Sequence, residues 1–457
     1  MTFADYAAAR HYLESFAQVS APTSAFALQR AQALMHDLGD PQNDLPVIHL
    51  AGTSGKGSTA AILAALLQAH GLRVGLGLSP HVRHLLERVQ IDGAPVDEAA
   101  FCRILGEMTP IISAMQASEW GAPSFFEILI ALSYKLFAQT PVDVVVMETG
   151  LGGRDDATNV VTRPDKVALF TRIGYDHQEQ LGNTLMKIAM QKFGIIQPQN
   201  RVVTIRQAPE VQAALAEICT TQQLQLTTFD PTEAIRVLSV EPEEVVFDLT
   251  LQGQPPLHAL HLSLTGAHQA ENAGLALATA SIFLARSGRT LDETAVRQAL
   301  AHVNLPGRME QHSWRGQHFI VDGAHNPQKI QALCKALVTL YPNRRFIFVV
   351  GFKQGKDHDA ILAQLAPLAA HIVLTHFENH DQGMPIAAAD PNQLAALLAT
   401  LGETPMTVTP NVAEALDSAH AIAANSPAIS TPIVVTGSLY LLAQVYEVLD
   451  VQSKSSC

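Results

Sequence analysis

The sequence predicts an α/β protein of two domains, each built on a doubly wound parallel sheet, with the first domain larger than the second. Apolar runs of strand length at 47–50, 74–78, 142–148 and 166–173 alternate with amphipathic helical stretches, the pattern of strands covered on both faces. The alternation breaks at Asn304-Leu305-Pro306-Gly307 and restarts at Phe319–Asp322, where Pro and Gly end the preceding helix. The chain has 457 residues, too many for one core when domains run roughly 100–200 residues. These observations set two domains, 1–303 and 304–457.

The first strand, from Val47, runs into Gly52-Thr53-Ser54-Gly55-Lys56-Gly57-Ser58. Gly52, Gly55 and Gly57 remove side chains where backbone N–H groups must close around phosphate oxygens, and the helix that follows points its positive end at the same anion. Lys56 adds a charge at the outer phosphates, and Ser58 offers a hydroxyl to Mg²⁺. The spacing departs from the strict phosphate-loop pattern, with Leu50 and Gly57 at two of its fixed positions. Ile62, Leu63, Leu66 and Leu67 then recur at helical spacing until Gly71 stops the helix before strand 74–78. Strand, loop, helix and strand together predict a P-loop-type ATPase domain; a ligand-free glycine turn leaves the lysine unexplained.

In open α/β sheets ligands gather at the carboxyl ends of strands, so the residues after each strand carry most weight. Ser79 follows strand 74–78. Strand 142–148 ends in Glu148, a carboxylate placed to hold Mg²⁺ through oxygen. Strand 166–173 ends in Gly174-Tyr175-Asp176-His177, and His177 is expected beside Glu148 across neighbouring strands. Lys192, in the otherwise apolar turn 188–196, reads on its own as a surface lysine with a buried stem. An alternating stretch at 246–264 predicts an antiparallel appendage.

The second domain is expected to be Rossmann-like, with strands at 319–322, 345–352, 371–377, 406–408 and 433–436. Asp322-Gly-Ala-His325-Asn-Pro327 joins a strand to a helix, so Asp322 and His325 face a ligand edge. Arg308 lies just past the inter-domain break, placed to reach a phosphate when the domains close.

Composition narrows the partners. Hydrophobic residues make up 48 % of the chain and charged ones 16 %, a folded globular composition. A net charge of −13 argues against a nucleic-acid partner, which needs clustered Lys and Arg. Cys102, Cys219, Cys334 and Cys457 are widely spaced and imply neither a zinc site nor a disulfide framework. No apolar run reaches the ~18 residues a membrane span needs, and Met-Thr-Phe-Ala-Asp-Tyr opens the chain without a leader pattern. A cytoplasmic monomer without membrane contacts is expected.

These residues also occur in a recognisable series. Gly52–Ser58, Leu78-Ser-Pro-His81, Glu87-Arg88, Phe126-Glu127, Glu148 with Leu151–Arg154, Asp156–Val160, Asp176-His177, Gln191–Ile195, Gly266 to Ala273, Pro306–Arg308, Asp322–Pro327 and Val435–Leu439 follow one another in the order seen in folylpolyglutamate synthases and dihydrofolate synthases. Over nearly its whole length the chain resembles this branch of the Mur ligase superfamily. The resemblance implies a ligase that activates a folate carboxylate with ATP as an acyl phosphate, joins it to L-glutamate, and releases ADP and phosphate.

By similarity, Gly52, Thr53, Ser54, Gly55, Lys56, Gly57 and Ser58 hold the ATP phosphates, with Asn272, Arg308, Asp322 and His325 completing the nucleotide site. Ser79, Glu148 and His177 bind magnesium, and Lys192 matches the lysine carbamylated in this family to carry a second Mg²⁺. Lys192 and His177 are thus the expected catalytic pair. Ser124, Phe125, Phe126 and Asp156 fall where folate is held. The chain departs from the family's frequent residues at Gln191 and Phe193 around the lysine, at Asp155, and at Pro123–Phe125. A related ligase acting on another anionic acceptor, such as a cell-wall precursor, is the alternative, disfavoured by the short stretch before the phosphate loop. A nucleotide-gated binding protein without catalysis is the other, and it leaves Glu148, His177, Lys192 and Arg308 unexplained.

Overall fold

The structure, a computed structural model, describes residues 2–17, 26–381, 383–425 and 432–455; Met1 and Cys457 lie outside them. Eight strands form the first sheet: Val47–Ala51 (β1), Val74–Gly77 (β2), Val89–Ile91 (β3), Ala94–Pro95 (β4), Val144–Glu148 (β5), Val167–Phe170 (β6), Arg201–Ile205 (β7) and Gln225–Phe229 (β8). Their order is β4-β3-β2-β5-β1-β6-β7-β8. From β2 to β8 every pair is parallel, whereas β3 and β4 pair antiparallel at one edge. The fully parallel expectation is corrected there: β3 and β4 are joined by Asp92 and Gly93 with positive φ, a two-residue hairpin needing no crossover helix.

Strand β1 is buried at every position, as a central strand covered on both faces must be. Helix Lys56–Ala69 lies on one face, held between the sheet and helices Ala267–Ala285 and Glu293–Ala301. Helices Ala27–Asp37, Glu98–Gln116 and Phe125–Gln139 cover another face around Phe101, Tyr134 and Phe137. The antiparallel appendage is a three-stranded sheet of Ile235–Val240 (β9), Val245–Leu249 (β10) and Leu257–Leu262 (β11), which begins upstream of the stretch expected at 246–264.

The six-stranded sheet comprises Glu310–Trp314 (β12), Gln317–Val321 (β13), Phe346–Val350 (β14), Ala369–Thr375 (β15), Met406–Thr409 (β18) and Ile433–Thr436 (β19). Short strands His380–Asp381 (β16) and Met384–Pro385 (β17) pair beside it. Its order is β12-β13-β19-β14-β15-β18, parallel except for the β12–β13 hairpin. Cys102, Cys219 and Cys334 carry free thiols. Among the described residues, no helix is long and apolar enough to cross a membrane.

Candidate functional site

Because β1, β2, β5 and β6 run parallel, their carboxyl ends open onto one edge, and the residues following them meet in a cleft of about 700 Å³. The phosphate loop forms its floor. Gly55 caps the helix in the left-handed region at φ 87°, and a methyl group there would collide with Asn272 Oδ1, so only glycine lets helix Ala267–Ala285 approach. A methyl on Gly57 would stand 3.6 Å from Glu148 Oε2. Thr53 Oγ1 donates to Gly174 O at 2.9 Å, tying the loop to the segment after β6.

Glu148 closes the cleft floor. It is 5 % exposed, Ser79 N donates to its Oε2 at 3.0 Å, and Lys56 Nζ stands 3.8 Å from its Oε1. Burial raises the Glu148 pKa, and the Lys56 charge works against that rise. His177 sits at φ 50° before the short helix Gln178–Leu181. Burial, with Lys356, Lys56 and Lys192 nearby, lowers its pKa to about 4, so the ring is neutral at pH 7. His177 and Glu148 are not on neighbouring strands as expected: β1 lies between β5 and β6, and the two side chains flank the phosphate loop.

Lys192 corrects a second reading. Its helix, Leu185–Phe193, buries Ile188, Ala189, Lys192 and Phe193, and Lys192 Nζ donates to Gly52 O at 2.9 Å beneath the loop. It is therefore not a surface lysine. Burial, then the charge of Lys56, lowers its pKa to about 7, so a sizeable share of the amine is unprotonated near neutral pH.

The second domain forms the opposite wall. Asp322, after β13, accepts from Met309 N at 3.0 Å and Ala324 N at 2.8 Å, and burial raises its pKa. Arg308 and His325 line the same cleft. Three contacts cross between the walls. Ser54 Oγ donates to Gln328 Oε1 at 2.8 Å, and Asp176 accepts from Lys356 Nζ at 2.7 Å and from Asn326 Nδ2 at 2.9 Å.

The cleft thus gathers Gly52 to Ser58, Ser79, Glu148, His177, Lys192, Asn272, Arg308, Asp322 and His325. The residues expected at folate separate from them. Ser124 caps helix Phe125–Gln139 in a reciprocal arrangement with Glu127, Phe125 is core, and Asp156 spends its carboxylate on Leu151 N, Thr158 N and Thr158 Oγ1. These three side chains serve the scaffold, because a loop beside a site must satisfy its own buried polar groups. Phe126 is partly exposed, in a narrow gap with Glu148, Ser79 and Arg88. Residues not singled out from the sequence are Lys329, Lys356 and Gln328. Lys329, in the first turn of a helix directly after Asp322–Pro327, carried a signal: acids, not lysines, are favoured there.

Fold and cleft define a Mur-type ATP-dependent ligase. The Mur ligase middle domain family matches residues 104–280, and the dihydrofolate synthetase C-terminal domain family matches residues 304–448. The chain is 37 % identical over 437 residues to the dihydrofolate synthase/folylpolyglutamate synthase of Mycobacterium tuberculosis, covering 90 % of this chain and 88 % of that one. It is 32 % identical over 358 residues to the Bacillus subtilis enzyme of the same name, covering 78 % and 81 %. A Mycobacterium tuberculosis folylpolyglutamate synthase structure complexed with ADP and AMPPCP superposes with a TM-score of 0.86 at 33 % identity, over 97 % of this chain and 99 % of that one. A structure of E. coli FolC with DHPP and ADP superposes at 0.79 and 28 %, over 98 % and 99 %. The chain belongs to the folylpolyglutamate synthase/dihydrofolate synthase family, ligases that join glutamate to folates or dihydropteroate at the expense of ATP.

Proposed function

We propose that this chain adds L-glutamate both to dihydropteroate and to reduced folates through an acyl phosphate, with residues 1–303 holding ATP and metal and residues 304–457 closing over them. The observation that carries this reading is the cleft itself, where phosphate loop, Glu148, His177 and Lys192 face Arg308, Asp322 and His325 of the other domain. An acceptor carboxylate oxygen attacks the γ-phosphorus as the bond to ADP breaks. The glutamate amine, having lost a proton, then attacks the acyl carbon, and phosphate leaves with the carboxylate's oxygen.

The residues fit this chemistry. Gly52 to Ser58 cradle the phosphates, Lys56 and Arg308 neutralise charge that builds on them, and Asn272, Asp322 and His325 hold the rest of the nucleotide. Phe126, beside Glu148, faces the folate. Among the described residues no three His, Cys, Asp or Glu side chains gather into a ready metal cage. Mg²⁺ commonly takes one or two carboxylates plus substrate phosphates, so Glu148, the Ser79 hydroxyl and neutral His177 would hold it once nucleotide supplies the remaining oxygens. Magnesium so held polarises and neutralises the phosphoryl group. The lowered pKa of Lys192 provides the unprotonated amine that carbon dioxide needs, which supports a carbamate there carrying a second Mg²⁺. Contacts across the cleft, Ser54 to Gln328 and Asp176 to Lys356, hold its walls together, an arrangement suited to limiting the water that would hydrolyse the acyl phosphate.

Oxygen labelling tests the intermediate. With ¹⁸O in the acceptor carboxylate, the released phosphate carries one labelled oxygen and the nucleotide product is ADP. Unlabelled phosphate, or AMP, contradicts the mechanism. A cytoplasmic, monomeric enzyme completes the proposal.

A further inference from the structure

The cleft holds a cation that the roles above leave unused. Lys329 occupies the first turn of helix Pro327–Leu340, which Asn326 caps. Its Nζ lies 3.0 Å from His325 Nε2. His325 Nδ1 lies 2.8 Å from Gly323 O; a carbonyl only accepts, so Nδ1 carries the hydrogen and Nε2 is the acceptor for the ammonium. A neutral imidazole is the partner, and among the described residues no carboxylate pairs with Lys329.

The nearby acids are already engaged. Glu148 takes Ser79 N and Lys56, Asp176 takes Lys356 and Asn326, and Asp322 takes Met309 N and Ala324 N. A recessed ammonium in a helix's first turn opposes both the helix dipole and its own desolvation, costs ordinarily offset by an anion. Gln328, next to Lys329, hydrogen-bonds to Ser54 of the phosphate loop, and Lys56 is the charge that acts most strongly on Lys329. The two lysines, one from each domain, therefore border one space.

We propose that Lys329 is a second-domain contact to the terminal phosphate of the bound nucleoside triphosphate, beside Arg308 and set opposite Lys56, so that it distinguishes ATP from ADP and helps hold the domains together while that phosphate is present. The assignment rests on the nucleotide-binding reading of the cleft. Burial and the Lys56 charge hold the Lys329 pKa down to about 7, a penalty that an arriving phosphate reverses.

Calorimetric titration of the full chain with Mg²⁺ and either ADP or the non-hydrolysable ATP analogue AMPPCP separates the outcomes. Lys329→Met is expected to weaken AMPPCP binding on the order of 10- to 100-fold, as for loss of a charge-assisted hydrogen bond, while ADP affinity changes less than about twofold; Lys329→Arg restores most of the analogue's affinity. Should the Met variant melt early, Lys329→Gln is read with the same two ligands. Equal weakening of both ligands, or unchanged AMPPCP binding, overturns the proposal. So does a raised KM for glutamate with AMPPCP binding intact, which moves Lys329 to the amino acid's carboxylate. If the unaltered chain binds neither nucleotide, it is the nucleotide reading that fails.

Discussion

Replacing Lys56 with methionine keeps the length of the side chain and removes its charge, with two separable consequences. At the 3.8 Å between Lys56 Nζ and Glu148 Oε1, an effective dielectric constant of about 20 gives an attraction of about 4 kcal/mol. The pair is largely shielded, with side chains 17 % and 6 % exposed, so bulk water screens little of it. Burial already raises the Glu148 pKa and Lys56 is the main charge opposing that rise, so Lys56→Met lets Glu148 take up a proton at higher pH. The acid limb of kcat/KM for ATP should therefore move to higher pH. The second consequence is lost charge at the developing phosphate oxygens, about 2–4 kcal/mol or roughly 30- to 1,000-fold in rate. Both are read from one pH series of initial rates for ADP release, with a thermal melt to establish that the variant folds. A folded Lys56→Met enzyme with turnover within about threefold of the parent and an unmoved acid limb would refute the reasoning.

Three further outcomes are expected. Glu148→Gln keeps shape but removes the anionic oxygen, so the Mg²⁺ concentration for half-maximal activity should rise or activity vanish; unchanged magnesium dependence in both Glu148→Gln and His177→Ala removes these residues from the metal. Lys192→Ala should be nearly inactive and partly rescued by a small carboxylic acid occupying the vacated space, whereas full activity rejects an essential role. Lys166 is fully buried, bonds Val161 O at 3.1 Å, and burial lowers its pKa from 10.5 to about 7. Between those values the unfolded chain binds more protons than the folded one, so Lys166 costs most below pH 7 and its cost fades as pH rises towards 10.5. The full cost is about 5 kcal/mol, and leaving the Val161 carbonyl unpaired subtracts about 1–3 kcal/mol. Denaturant titration should find Lys166→Met more stable than the parent by about 2 kcal/mol at pH 6 and near-neutral at pH 9; equal effects at the two pH values contradict the argument.

The alternation of apolar strands with helices was readable because parallel strands bury both faces, as β1 and β5 do. Strands β3 and β4 span three and two residues, too short to show a period, and β12 mixes polar residues at a sheet edge. Sheet order was not readable either: nothing in the chain says that β1 inserts between β5 and β6, so Glu148 and His177 were expected one strand too close. The cleft's glycines and strand-end acids were visible because each lies beside a strong local signal. Lys192 was misread because an apolar helical turn does not reveal which neighbour covers it, here the carbonyl of Gly52. Gln328 and Lys356 contribute through the approach of one domain to the other, and their partners Ser54 and Asp176 lie 274 and 180 residues away in sequence.

The account's central claim is glutamate ligation driven by ATP cleavage to ADP. Purified protein with ATP, Mg²⁺ and L-glutamate, offered dihydropteroate or tetrahydrofolate in separate reactions and followed by mass spectrometry, should convert both acceptors to products heavier by one glutamate residue, with one ADP released per product. Acceptors that return unchanged, or products formed without ADP, contradict it.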